Sequence, residues 1–144
     1  MGLQFLLLGA LFLSPQGGDF LGDGWSAALV AIIYLLATTV LLFAGVALRP
    51  SLRVSPIPLE GAPLIKHGIY RWFRHPMYLS VALYGIGMTL DRANALSLIL
   101  LIGLVATLVT KARFEDQLLR ERHADALIYQ SEVPGIFGRS SKNA

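Results

Sequence analysis

The segment YRWFRHPMY, residues 70–78, places charged and aromatic side chains directly before an apolar stretch. Pro76 suits the first turn of a helix, where its missing N–H would be unsatisfied in any case. A helix amino-terminus with Arg71, Arg74 and His75 beside it favours a carboxylate or phosphate ligand. The same residues also fit a membrane anchor, with basic side chains and an aromatic belt at the bilayer interface. On composition alone, the anchor is the favoured interpretation.

A second polar segment begins where an apolar run ends, at Lys111. Lys111 lies four residues before Glu115, and Arg122 lies seven after it, so the three share one face of a helix. Glu115 can accept hydrogen bonds from ribose hydroxyls or from an amine. The alternative is a solvated face of ion pairs worth about 0.3–0.5 kcal/mol each. Taken alone, the segment favours that alternative.

The composition indicates a membrane protein. Of 144 residues, 55% are hydrophobic and 15% are charged, whereas about a quarter of a soluble domain is charged. The absence of cysteine excludes disulfides, thiolate metal sites and a cysteine nucleophile, and with three histidines we expect no metal site. The net charge of +3 lies beside apolar segments. The expected partner is therefore the lipid bilayer and not nucleic acid.

The apolar segments predict an all-α integral membrane protein that forms a single domain over residues 1–144. About 20 apolar residues cross a bilayer core of roughly 30 Å. We predict four transmembrane helices, at about residues 2–14, 25–48, 76–90 and 94–110. The first is short enough to be half-inserted instead. Apolar residues at helical spacing also predict a C-terminal helix over 111–137, which prolongs the fourth span or lies on the membrane surface.

The distribution of basic residues predicts the orientation. Of the twelve Lys and Arg, five lie in the loop 49–76 and six follow the fourth span, whereas Asp19 and Asp23 follow the first. The positive-inside rule then places both termini and this loop in the cytoplasm. A hairpin of spans three and four, turning at residues 91–93, would bring YRWFRHPMY beside the segment that starts at Lys111. That shared face is the expected active-site face.

Known catalytic signatures are missing from the sequence. It contains no nucleophile elbow, no P-loop, no HExxH and no Gly-rich dinucleotide fingerprint,. Serine hydrolase, nucleotide hydrolase and metalloprotease functions therefore lack their machinery. A group transfer that depends on positioning two substrates remains open.

The stretch PLIKHGIYRWFRHPMYLS resembles the signature of the isoprenylcysteine carboxyl methyltransferase and phospholipid methyltransferase superfamily. Its members are integral-membrane enzymes that use S-adenosylmethionine. The matching positions are Gly68, Tyr70, Arg74, His75, Pro76 and Tyr78.

A second signature of the same superfamily follows the hairpin. The positions that match it, in order, are Glu115, Asp116, Leu118, Tyr129, Val133 and Pro134. The chain departs from the pattern where Arg122-His123 replaces Phe-Gly and Ala126 replaces a tyrosine. The resemblance covers roughly residues 63–137. Because the first signature is intact, the resemblance implies cofactor binding more directly than it implies the identity of the substrate.

The resemblance implies methyl transfer from S-adenosylmethionine to a lipophilic acceptor, most like an isoprenylcysteine carboxylate. It implies a cofactor-binding loop over residues 60–76. The cofactor-binding residues it implies are Tyr70, Arg74, His75, Pro76, Tyr78, Glu115 and Tyr129.

The implied reaction is an in-line displacement. A carboxylate acceptor needs no general base, and a cation such as Arg113, Lys111 or Arg122 would steer it. An amine or thiol would lose a proton, for which Glu115 and His123 are the candidates. The expected catalytic residues are therefore Glu115, Arg113 and Lys111. We expect the lipophilic part of the acceptor to enter between helices past three small residues, namely Gly85, Gly87 and Gly103.

Two alternatives stay open from the sequence. In the first alternative the chain is a methyltransferase whose acceptor is a phospholipid amine or a small hydrophobic thiol or acid. In a different class, the chain is a non-catalytic four-helix membrane subunit, in which the Arg-His-Pro cluster is only an anchor.

Overall fold

The computed structural model describes residues 2–18, 25–48 and 65–135, and over these ranges it is all-helical. Its α-helices are α1 (Leu3–Leu13), α2 (Trp25–Leu48), α3 (Pro76–Arg92), α4 (Ala95–Arg122) and α5 (Ala126–Glu132), with a 3₁₀ turn at Gly68–Arg71 before α3. Within those ranges no β-strand forms. Asp19, Asp23, loop residues 49–64 and the chain after residue 135 lie outside the described residues.

Two of the predicted spans are confirmed as helices long and apolar enough to cross a membrane, α2 and α4. At 1.5 Å per residue, the 24 residues of α2 reach roughly 36 Å, more than a bilayer core of about 30 Å. Both helices keep large apolar side chains more than half exposed, such as Leu35, Leu42, Ile99 and Ile102. A continuous apolar surface of this kind needs an apolar partner.

The prediction of four spans is not confirmed, because α1 and α3 are shorter. The 11 residues of α1 reach roughly 16 Å, about half of the bilayer core. Helix α1 ends at Leu13 and is followed by the C-cap residue Ser14, whose hydroxyl donates to Leu11 O at 2.8 Å and which precedes Pro15. The 17 residues of α3 reach roughly 25 Å and end in Asp91 and Arg92.

The core lies where α1, α3 and α4 meet. Leu11, Ala82, Leu104 and Leu108 are buried there, one or two from each helix. Helix α3 packs between α2 and α4. Helix α3 can approach both α2 and α4 closely because it carries a glycine at its contact with each of them.

The predicted entry route for a lipophilic acceptor is wrong at two of its three glycines. A Cβ added at Gly85 would lie 2.7 Å from Leu104 Cδ2, and one at Gly87 would lie 2.6 Å from Tyr34 Cε1. The space beside these glycines is therefore filled by neighbouring side chains. A Cβ added at Gly103 would lie 3.8 Å from Leu7 Cδ2, which is an ordinary van der Waals distance.

The hairpin of α3 and α4 is confirmed, and its turn is fixed by local hydrogen bonds. Ala93 has the left-handed conformation, with φ 48° and ψ 46°. Asn94 caps α4 by accepting from Ser97 N at 2.8 Å. Arg92 Nη2 donates to Phe12 O at 2.7 Å, and Asn94 Nδ2 donates to Pro15 O at 2.6 Å. The turn therefore also holds the end of α1.

The helix predicted over residues 111–137 is divided in two. Helix α4 continues to Arg122, where His123 is extended with φ −132° and ψ 119°, and α5 follows as a separate helix. Gln130 Nε2 donates to Asp116 O at 2.8 Å, which ties α5 back against α4. A continuous helix would carry these residues away from each other, so the tertiary contact accounts for the break.

Candidate active site

The residues of the first signature are held between the 3₁₀ turn and α3. Gly68 begins the turn with φ +62°, a conformation that favours glycine. Pro76 occupies the first turn of α3, as predicted, and His75 precedes it as the N-cap residue. The backbone N–H of Arg74 donates to Pro134 O at 3.0 Å. The segment after α5 thus fixes the backbone from which the two basic side chains project.

Arg74 and His75 converge on one carboxylate, that of Asp116 in α4. Arg74 Nη1 lies 2.6 Å from Asp116 Oδ2, and His75 Nε2 lies 2.9 Å from Asp116 Oδ1. The side chains of Arg74, His75 and Asp116 are 5%, 7% and 13% exposed. Because water screens the Arg74–Asp116 ion pair little, the attraction between its two charges is much stronger than in a surface ion pair. It joins the start of α3 to α4.

Glu115 forms the open side of the same cluster. Tyr78 OH donates to Glu115 Oε1, and His75 Nδ1 lies 3.7 Å from Glu115 Oε2. The two nitrogens of His75 therefore face two adjacent carboxylates. The His75 and Tyr78 rings stack, with centroids 5.6 Å apart. The Glu115 side chain is 42% exposed, so a ligand can reach it.

Two tyrosines close the cluster on the side of α5. Tyr129 OH donates to Tyr70 O at 2.7 Å. Burial raises the pKa of Tyr70 to about 12, and the nearby Tyr129 and Glu115 add to that effect. Burial also raises the pKa of Tyr129 to about 12, with Arg74 opposing and Asp116 reinforcing the shift. Both phenols are protonated at neutral pH, and that of Tyr129 acts as a hydrogen-bond donor.

One buried donor in the cluster has no partner in the part of the chain that the structure describes. Arg74 Nε makes no hydrogen bond to any of the described residues, although the Arg74 side chain is only 5% exposed. Leaving such a donor unsatisfied costs about 1–3 kcal/mol. An orphaned donor of this kind indicates a place where a ligand acceptor atom can bind.

The predicted cofactor-binding residues lie together. The structure brings into one cluster Tyr70, Arg74, His75, Pro76, Tyr78, Glu115 and Tyr129. Lys111 borders this cluster, with its Nζ 5.1 Å from the centroid of the Tyr78 ring. Arg113 lies apart from it and is exposed, lining a shallow depression with Gln117, Arg120 and Glu121.

Sequence reasoning missed the central residue of the site. Asp116 was noted only as part of an acidic pair, whereas Glu115 was assigned the role. The signal that could have found it is spacing. Leu104, Leu108, Ala112 and Asp116 are each four residues apart, and the first three are buried, so the fourth continues the inward stripe of α4. Gln130 was also missed, and no spacing relates it to Asp116.

Comparison with known families identifies one match. The model of the Isoprenylcysteine carboxyl methyltransferase (ICMT) family matches residues 26–121, about two thirds of the chain. The match contains Arg74, His75, Glu115 and Asp116, and it confirms the resemblance drawn from the signatures. No curated protein and no solved structure matches the chain.

Proposed function

The chain belongs to the isoprenylcysteine carboxyl methyltransferase family and is thus a membrane methyltransferase. We propose that it moves a methyl group from S-adenosylmethionine to a lipophilic acceptor, most like an isoprenylcysteine carboxylate. The observation that carries the proposal is the buried Arg74 Nε, which has no hydrogen-bond partner among the described residues, within a cluster that Asp116 holds together.

The side chains of the cluster fit the chemical groups of the cofactor. Arg74 Nε supplies a buried donor for its carboxylate, in a site where a charge-assisted hydrogen bond is strong. Glu115 presents a partly exposed carboxylate, which can accept hydrogen bonds from ribose hydroxyls. The rings of Tyr70 and Tyr78 supply aromatic wall for the adenine. Tyr129 acts through Tyr70, because its hydroxyl holds the Tyr70 carbonyl.

The protein contributes mainly positioning. The chemistry that S-adenosylmethionine supplies when bound is an electrophilic methyl group on a sulfonium sulfur. An acceptor carboxylate is ionised at neutral pH, so the protein does not have to remove a proton from it. Lys111 would steer this carboxylate because it lies beside Tyr78, whereas Arg113 lies apart from the cluster. Closing the site to water protects the reactive sulfonium.

The same features favour a carboxylate over an amine acceptor. A protonated amine would be repelled by the Lys111 ammonium. It would also need a general base, and the carboxylate of Glu115 already accepts a hydrogen bond from Tyr78. Phospholipid amines are therefore the second candidate.

Calorimetric titration of the detergent-purified chain with S-adenosylmethionine, or with its demethylated product, tests cofactor binding. We expect Arg74→Lys to weaken binding about tenfold or more, because lysine lacks the Nε donor and the planar fork of arginine. His75→Ala and Glu115→Gln should weaken it as well. The matched controls are Arg120→Lys and Glu121→Gln, which change exposed side chains of α4 and should leave binding unchanged. Absence of binding, or binding indifferent to all three site variants, would overturn the proposal.

The acceptor is tested separately with a labelled methyl donor. Membranes containing the chain are incubated with it, and the lipid extract is treated with base. A methyl ester releases its label, whereas a methylated amine retains it. Base-stable label would contradict a carboxylate acceptor and would indicate an amine acceptor instead.

A further inference from the structure

Gln4 is an unusual residue for its position. It is the only polar side chain of α1, whose sequence is LQFLLLGALFL, and it is only 8% exposed. Burying a side-chain amide is costly unless it is hydrogen-bonded. Its Oε1 accepts a hydrogen bond from Lys111 Nζ at 2.8 Å. The one polar group of α1 is thus used to hold a lysine at the border of the candidate active site.

Lys111 connects this contact to the polar cluster. Its ammonium lies 5.1 Å from the centroid of the Tyr78 ring, within the range of a cation–π interaction. Tyr78 in turn donates its hydroxyl to Glu115. A series of three contacts therefore runs from α1 through Lys111 and Tyr78 to Glu115.

The other end of α1 is held as well, so the helix has little freedom to slide. Arg92 Nη2 donates to Phe12 O at 2.7 Å, and Gly17 N donates to Arg92 O at 2.6 Å. These contacts set the distance between the α3–α4 turn and Gln4. The position of the Gln4 amide along α4 is thereby fixed at the level of Lys111.

We propose that Gln4 is a positioning residue, which holds the Lys111 ammonium over the Tyr78 ring and so presents it to the acceptor carboxylate. Lysine has a flexible four-carbon stem, and without a fixed acceptor its ammonium is free to reach water or lipid head groups. Gln4 removes that freedom. The inference rests on the proposed function only for its activity readout, because the position of Lys111 is measurable without turnover.

The position of Lys111 is tested by nuclear magnetic resonance of the full-length chain after ¹³C reductive methylation of its lysines. The chain has three lysines, Lys66, Lys111 and Lys142, so Lys111→Arg assigns the signal. In the wild type, the Tyr78 ring should displace the Lys111 methyl signal upfield. Gln4→Met, similar in shape but without the acceptor, should abolish that displacement, and Gln4→Glu should retain it.

A matched control is Gln117→Met, an exposed glutamine of α4, which should leave the Lys111 signal unchanged. An unmoved signal in Gln4→Met would overturn the proposal. If Gln4→Met does not fold, Gln4→Asn decides, because it keeps the amide but withdraws the oxygen by one methylene. A shifted signal in Gln4→Asn supports the proposal, and an unmoved one overturns it.

Methyl transfer provides a second readout. Gln4→Met should raise the acceptor KM about tenfold, the effect of one lost hydrogen bond to a charged group. The calorimetric affinity for S-adenosylmethionine should stay unchanged. An unchanged KM in Gln4→Met would overturn the role of Gln4. Absence of methyl transfer in the wild type would instead overturn the proposed function, while the resonance signal still reports on Lys111.

Discussion

Replacing Asp116 by asparagine removes the charge that holds the site together while it keeps the side-chain shape. Asp116 faces Arg74 Nη1 at 2.6 Å and His75 Nε2 at 2.9 Å. In Asp116→Asn, the Arg74 guanidinium stays buried without its counter-charge. At an effective dielectric constant of about 20, two charges roughly 4 Å apart interact by about 4 kcal/mol. Breaking one side of such a buried pair costs roughly 3–5 kcal/mol.

We therefore expect Asp116→Asn to lower the free energy of unfolding by roughly 3 kcal/mol, the low end of that range, since asparagine can still accept one hydrogen bond. The free energy is measured by graded denaturation in mixed micelles. Asp125→Asn is the matched control, because Asp125 forms an exposed ion pair with Lys66 at 3.5 Å. Its loss should cost about 1 kcal/mol or less.

A double-mutant cycle isolates the pair itself. Arg74→Met and Asp116→Asn should each destabilise the chain, and the double variant should cost less than the two together, by roughly 2–3 kcal/mol. If the two effects add, or if Asp116→Asn costs no more than Asp125→Asn, the Arg74–Asp116 pair does not hold the site together.

Two further predictions concern the attachment of α1 and α5. Gly17→Ala should lower the free energy of unfolding by about 1–3 kcal/mol, because its Cβ would clash with the backbone oxygen of Ala93. At Gly18 an added Cβ would meet none of the described residues within 4 Å, so Gly18→Ala should be nearly neutral when the two variants are compared by thermal unfolding. The pKa of Tyr129 is raised from 10.0 to about 12, so the folded state retains this proton at a pH where the unfolded state releases it. Its contribution to stability is fully present below pH 10.0 and is lost as pH rises towards about 12,. In Tyr129→Phe, which also loses the hydrogen bond to Tyr70, the melting temperature should fall less over that interval. A fall equal to that of the wild type would contradict this.

Apolar composition and local chemistry determined the helices. A run without charges from residues 25 to 48 can satisfy its backbone in lipid only as a helix, and α2 has those bounds. Pro76 predicts the start of α3 because its ring suits the first helical turn. The hairpin followed from the short polar turn at residues 91–93. These features depend on neighbours in sequence, so the sequence alone determines them.

The choice between Glu115 and Asp116 was decided by the tertiary structure. Adjacent residues differ by about 100° around a helix, so one of the two must face the start of α3 more directly. The rotation of α4 is set by the packing of Leu104 and Leu108 in the core. That packing turns Asp116 towards Arg74 and leaves Glu115 at the open side.

Contacts between distant residues were decided in the same way. Gln4 and Lys111 are 107 positions apart, and no spacing rule relates them. Gly85 suggested open space in the sequence, but Leu104 fills it. Local sequence therefore predicts which apolar segments form helices and which helix ends hold the candidate site residues. Only the packing of those helices decided which side chains meet, because their rotation and sliding depend on the whole core.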